Sequence, residues 1–174
     1  MYTLCKTERL CSKILIEELL KSELSFVKYP FRVVYKVSSQ KTDFPARIAI
    51  SVSKKRFKRA VKRNRIKRLV REAYRLNKPT FYSSLPDDMT VDILFIYLDQ
   101  SLPSYAKTEK AIRSALKKIS LQLSTVQEWY ADYKKNTHFY SVGSYKILPE
   151  LYFTAYPTHL QVYTDMFTIH IGGH

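Results

Sequence analysis

With 174 residues, the chain has room for one domain with a substantial core and an appendage, but not for two full-sized domains. Its formal charge of +15 calls for a polyanionic partner, either nucleic acid or an anionic membrane surface. No run of about 18 apolar residues is available to span a bilayer. The charged stretch Met1–Leu24 lacks the apolar core and cleavage site of a secretory signal. Cys5 and Cys11 form no Cys-x-x-Cys pair and have no histidine near them, so the expectation is free thiols in a cytoplasmic protein.

Taken in chain order, Ser12 to Ser22 reads as a short helix with Ser12 as N-cap, its hydroxyl satisfying an early backbone N–H. Ile16, Leu19 and Leu20, with Leu15 at the margin, are expected to face the body of the domain. Phe31 to Val37 reads as a strand, rich in β-branched and aromatic residues and preceded by Pro30. Phe31, Val33 and Tyr35 share one of its faces; Arg32, Val34 and Lys36 share the other. The polar stretch Ser38–Pro45 is expected to be a hairpin connection into a second strand, Arg47–Ser53, where Ile48, Ile50 and Val52 alternate.

Past Lys58 the period changes. Ile66, Leu69, Val70, Ala73 and Leu76 are spaced by three and four, so a helix carries them as one apolar stripe. Arg63, Asn64, Lys67, Arg68, Arg71 and Arg75 fall on the opposite arc, with Arg65 at its edge. Glu72 is the only acid between Asp43 and Asp87, whereas an ordinary solvated helix face mixes signs. Such a cationic arc repels itself unless a polyanion covers it, and the planar fork of arginine suits phosphate oxygens. This helix is expected to end near Asn77, ahead of Pro79.

Leu85–Thr90 reads as a loop. The nearly continuous apolar run Val91–Leu98 reads as a central strand buried on both faces. Ser104–Leu123 returns to helical spacing, with Ile112, Ala115, Leu116, Ile119 and Leu123 on one stripe. The fold class is therefore α+β, a small α/β sandwich with one sheet packed by helices. Residues 124–174 differ in character: they hold all four histidines and all three glycines, and three lysines against four acids give −1, which leaves +16 on residues 1–123. Leu160–Ile171 could form a strand, but no function can be read from this tail.

Four other chemistries compete. A protein-borne metal-dependent nuclease needs converging carboxylates, and Asp87, Asp88, Asp92 and Asp99 are the only acid cluster in the basic part. A DNA reader would place a recognition helix after a turn and a first helix, yet here the basic helix follows a strand. A basic amphipathic helix can lie on lipid, but its apolar stripe is needed for the core. His138, His159, His170 and His174 have no short ligand spacing, and residues 1–123 contain no histidine for a nucleophile–base set.

Ser51-Val52-Ser53-Lys54-Lys55 followed by Ala60-Val61-Lys62-Arg63-Asn64-Arg65-Ile66-Lys67-Arg68-Leu69-Val70-Arg71-Glu72-Ala73-Tyr74-Arg75 resembles the signature of the bacterial ribonuclease P protein component, with Arg-Asn-Arg as its hallmark. The resemblance extends from about Arg9-Leu10 to Leu123. It implies a mixed sheet with a left-handed β-α-β crossover, and a protein that binds a catalytic RNA as a heterodimer of RNA and protein subunits, without membrane attachment. Together they would remove the 5′ leader of precursor tRNA, with Mg²⁺ bound mainly by the RNA and no catalytic or metal-binding residue in the protein. Carried over by position, Lys54, Lys55, Arg56, Arg59, Arg63, Asn64, Arg65, Lys67, Arg68, Arg71 and Arg75 would bind RNA. Ile16, Leu20, Phe31, Tyr35, Asn64 and Arg68 would line the leader cleft, where stacking on unpaired bases would rest on Phe31 and Tyr35 or be replaced by apolar contact. Ile16 and Leu20 stand where the family often has phenylalanine, and Arg56-Phe57-Lys58-Arg59 replaces a shorter, glycine-containing link. A structural RNA-binding protein of ribosomal type is the alternative with the same chemistry.

Overall fold

The computed structural model describes residues 3–38, 42–85 and 89–136, the side chains of 125–136 excepted. Within it run α1 (Lys13–Leu20), β1 (Ser25–Lys28), β2 (Phe31–Val37), β3 (Ala46–Val52), α2 (Ala60–Tyr82), β4 (Val91–Tyr97) and α3 (Tyr105–Asn136). Leu160–Ile171, the four histidines, Asp87 and Asp88 lie outside the described residues.

The four strands form one mixed sheet in the order β1-β2-β4-β3. Strands β1 and β2 pair antiparallel across the two-residue turn Tyr29-Pro30, whose peptide bond is cis. β2 pairs antiparallel with β4, and β4 pairs parallel with β3. The Ser38–Pro45 connection is therefore not a hairpin: it steps over one strand position, and β4 fills the gap. As a central strand β4 is buried on both faces, which its continuous apolar sequence demands.

Strand parity divides the core in two. Phe31, Val33, Tyr35 and Val37 face the same side as Ile48, Val52, Ile93, Phe95 and Tyr97, and on that side α2 and α3 pack as a second layer. On the other side α1 covers only the middle of the sheet, where Leu19 meets Val34, Ala49 and Leu94. The α3 stripe Ile112, Ala115, Leu116, Ile119 and Leu123 is buried as its spacing predicts. Ser104 starts that helix, its hydroxyl accepting the Lys107 N–H at 3.3 Å.

Several local expectations change. Ser12 is the N-cap of α1 by position but makes no side-chain cap bond. Leu20 lies beyond the covered arc and is 52% exposed. In α2, Leu76 is 50% exposed and Tyr74 takes its place in the core, because α3 rather than the sheet covers that flank. The same helix runs through Pro79 to Tyr82. Proline costs an N–H and crowds the preceding turn, but Phe81 is buried in the core and Lys78 and Tyr82 reach a buried carboxylate, so tertiary contacts hold the last turn. α3 continues to Asn136, so the change of composition at residue 124 falls inside a helix.

The buried carboxylate is Glu8. The N-terminal segment lies along the free edge of β3: Leu10 N–H donates to Ile48 O and Ile48 N–H to Glu8 O, both at 2.9 Å. The Glu8 side chain has no solvent exposure and accepts from Lys78 Nζ at 2.6 Å, Tyr82 OH at 2.7 Å and Cys5 N–H at 2.6 Å. Burial pushes this carboxyl up, but the bonds from Lys78, Tyr82 and Cys5 outweigh it and hold the group below the ordinary carboxylate range. The network ties the N-terminal strap to the last turn of α2.

Candidate nucleic-acid interface

The loop between β3 and α2 is anchored from beneath. Phe57 is buried and packs on Tyr97, with ring centroids 5.9 Å apart. Arg63 Nη1, one turn into α2, donates to the carbonyls of Phe57 and Lys58, each at 2.7 Å. Arg56 Nη1 reaches the other way and donates to Leu98 O, with Tyr97 O at 3.5 Å. Two arginines expected to face RNA therefore spend donors on main-chain carbonyls. What they hold in place is a turn that leaves Lys54, Lys55, Lys58, Arg59 and Lys62 exposed.

Along α2 the buried stripe of Ile66, Val70, Ala73 and Tyr74 fixes which arc points outward. Asn64, Arg65 and Arg68 are fully on that arc, while Lys67 and Arg71 are half-buried at its borders. Arg75 Nε and Nη2 grip both Glu72 carboxylate oxygens at 2.9 and 2.7 Å, so its charge is matched within the helix. The surviving surface is a row of guanidinium and ammonium groups from the loop to the middle of α2. It has the fork geometry that phosphate oxygens fit.

The expected leader cleft is not assembled as the sequence reading placed it. Phe31 and Tyr35 are 1% and 2% exposed on the sheet face beneath α2 and α3, whereas Ile16 and Leu20 belong to α1 on the opposite face. Tyr35 is fixed further by donating its hydroxyl to Gln122 Oε1 at 2.9 Å, and burial pushes that hydroxyl up to about 12. Neither ring can stack on a base without dismantling the core. The residues that α1 leaves open on its own face form the transverse row Val27, Arg32, Ile96 and Ser51, with Ile96 half-buried and the others exposed. Strand parity pointed to this row, since Arg32 is out of phase with Phe31.

The acid cluster offers no cation site within the described residues. Arg47 Nε and Nη2 hold both Asp92 oxygens at 2.7 and 2.8 Å, with the pair buried at the opposite end of β4 from Asp99. Seven strand steps separate the two carboxylates by roughly 20 Å. Asp99 accepts from Gln100 N–H and Ser101 N–H in its own loop, and bonds from Tyr29 and Ser101 hold it well below the ordinary carboxylate range. Among the described residues no three His, Cys, Asp or Glu side chains converge as metal ligands, and no helix is long and apolar enough to cross a membrane.

A family model described as Ribonuclease P matches residues 4–120. The ribonuclease P protein component of Porphyromonas gingivalis is 41% identical over 120 residues, which cover 68% of this chain and 88% of that protein. The chain belongs to the ribonuclease P protein family. The ribonuclease P protein component of Chlorobaculum tepidum is 40% identical over 82 residues, 43% of this chain and 53% of that protein. In three dimensions the chain is similar to the Staphylococcus aureus RNase P protein, with a TM-score of 0.53 at 25% identity over 66% of this chain and 96% of that one. A ribonuclease P protein is a component of an endoribonuclease ribonucleoprotein that processes the 5′ end of tRNA, and its partner is a ribonuclease P RNA. The matched residues contain every element from α1 to β4 and the first half of α3, including the whole cationic row.

Proposed function

We propose that this chain docks its cationic row, Lys54, Lys55, Arg59, Asn64, Arg65, Lys67, Arg68 and Arg71, on the catalytic RNA of ribonuclease P. The open row on the α1 face then receives the 5′ leader of precursor tRNA. Cleavage is the work of the RNA and its Mg²⁺ ions in the cytoplasm; the protein supplies positive charge and a shaped groove. Among the described residues the two carboxylates of the acid cluster do not fit a Mg²⁺ site, because Asp92 is held by Arg47 and Asp99 by its loop. The observation that carries the reading is the exposed Asn64, Arg65 and Arg68 on a helix whose other face is core.

The leader reading rests on position. α2 starts at the end of the sheet where β3 and β4 finish, which is also the end that carries Arg32, Ser51 and Ile96. A single strand leaving the RNA surface there meets one guanidinium, one hydroxyl and two apolar side chains. That set suits sequence-tolerant contact with an unpaired leader better than base-edge readout.

The test is binding of precursor tRNA with a leader of several nucleotides, and of mature tRNA, to the assembled RNA–protein complex. The precursor is expected to bind on the order of ten-fold more tightly than mature tRNA, and Arg32→Ala to reduce that preference. Equal binding of the two RNAs would leave a structural RNA-binding role in its place.

A further inference from the structure

The N-terminal strap and α2 enclose a groove of about 390 Å³ lined by Leu4, Arg9, Arg68, Arg71, Glu72 and Arg75. Glu72 and Arg75 satisfy each other, which leaves three guanidinium groups facing the groove from two walls. Arg9 is exposed on the strap, between the buried side chains of Glu8 and Leu10. Its backbone is fixed on both sides: Arg9 N–H donates to Lys6 O at 3.1 Å, and the neighbouring residues bond Ile48. The Glu8 network with Lys78 and Tyr82 holds the strap against the end of α2.

Three like charges gathered around one concavity repel each other, and the single acid among them is already paired with a fourth. A passing surface helix would not need a second element to bring another arginine to its cationic face. We infer that the groove between the strap and α2 is a seat for an RNA sugar-phosphate backbone, with Arg9 as its contact from the strap and Arg68 and Arg71 as its contacts from the helix. This rests on the RNA-docking reading above and adds a wall to it. The ligand is recognised by phosphate, since the described residues that line the groove offer donors and charge and include no aromatic ring. The fixed strap makes the contact preorganised, so little side-chain and backbone freedom is lost on binding.

Because the catalytic RNA and precursor tRNA share that chemistry, the experiment has two arms. Affinity of the full chain for catalytic RNA alone, and of the assembled complex for precursor tRNA, is measured across a range of salt concentrations for wild type, Arg9→Ala, Arg9→Lys and Arg68→Ala. The groove extends the surface that docks on the catalytic RNA, so in the catalytic-RNA arm Arg9→Ala is expected to weaken binding on the order of five-fold and to lower the salt slope by about one phosphate contact, roughly 0.7–0.9. Arg9→Lys is expected to keep the slope, because charge is retained. If Arg9→Ala matches wild type toward the catalytic RNA while Arg68→Ala weakens that binding, the groove inference is overturned and the docking reading stands. If neither variant changes affinity or slope in either arm, both are overturned. The thermal midpoint of each free variant, expected to match wild type because Arg9 and Arg68 are exposed, separates a lost contact from a lost fold.

Discussion

Lys78→Met is expected to destabilise the fold by about 3–5 kcal/mol, because it leaves the Glu8 carboxylate buried without its counter-charge. Lys78 Nζ also donates to Thr3 O at 2.6 Å, so the strap loses two anchors at once. Tyr82 and the Cys5 N–H remain, but neither carries charge. The measurement is a denaturant titration, where the midpoint falls while the slope, set by the surface exposed on unfolding, stays the same. Glu8→Gln is expected to cost less, since an amide oxygen still accepts from Lys78 and Tyr82.

The pH dependence follows from the same carboxyl. Glu8 is held below its ordinary value of 4.5 in the folded chain, so its contribution is complete above that value and is lost as pH falls through the folded one. Asp99, also depressed, acts in the same direction. Wild-type stability should therefore decline on the acid side of about pH 4.5. In Lys78→Met the decline should be shallower, because burial then favours the protonated acid and the folded state gains rather than loses by taking up the proton.

The second large effect is on RNA. Arg65→Ala/Arg68→Ala/Arg71→Ala removes the centre of the cationic row and is expected to weaken binding of the catalytic RNA on the order of 10²–10³-fold at physiological salt. Three lost phosphate contacts should lower the slope of log affinity against log salt by about 2–3. The fold should persist, because Arg65 and Arg68 are exposed, Arg71 is half-buried, and alanine is the best helix former. Unchanged stability with a lowered slope is the signature of a surface that neutralises phosphate.

Local periodicity was legible in the sequence and long-range pairing was not. The stripe of α3 and the double burial of β4 follow from spacing alone, and the Arg-Asn-Arg signature pointed to the family before any geometry. The order of strands did not follow, because the connection from Ser38 to Pro45 serves a hairpin and a step over one position equally well. β1 has only four residues, with little apolar content to mark it, although the Tyr29-Pro30 pair before β2 is a turn signal. Parity correctly grouped Phe31 with Tyr35, but it cannot say which face of a sheet receives two long helices and which receives one short one. That is why the aromatic rings lie in the core and Arg32, Ser51 and Ile96 lie in the open.

The cationic helix was legible as a surface but not in its division of labour. Composition counts Arg56, Arg63 and Arg75 with the rest, yet the first two clasp the β3–α2 loop and the third is paired with Glu72. Such roles depend on where carbonyls and acids lie in space. Glu8 illustrates the same limit: nothing in the sequence around it distinguishes a solvated acid from one buried against a lysine seventy positions away. Pro79 misled for the opposite reason, since a strong local rule lost to burial of Phe81 and the Glu8 network.

The central claim is that the cationic row assists a catalytic RNA in removing the 5′ leader. Its most direct test is cleavage of precursor tRNA by that RNA at low Mg²⁺, with wild-type protein, with the folded Arg65→Ala/Arg68→Ala/Arg71→Ala variant, and with no protein. Strong stimulation by wild type and little by the variant is the expected result. No stimulation by wild type, or equal stimulation by the variant, would contradict it.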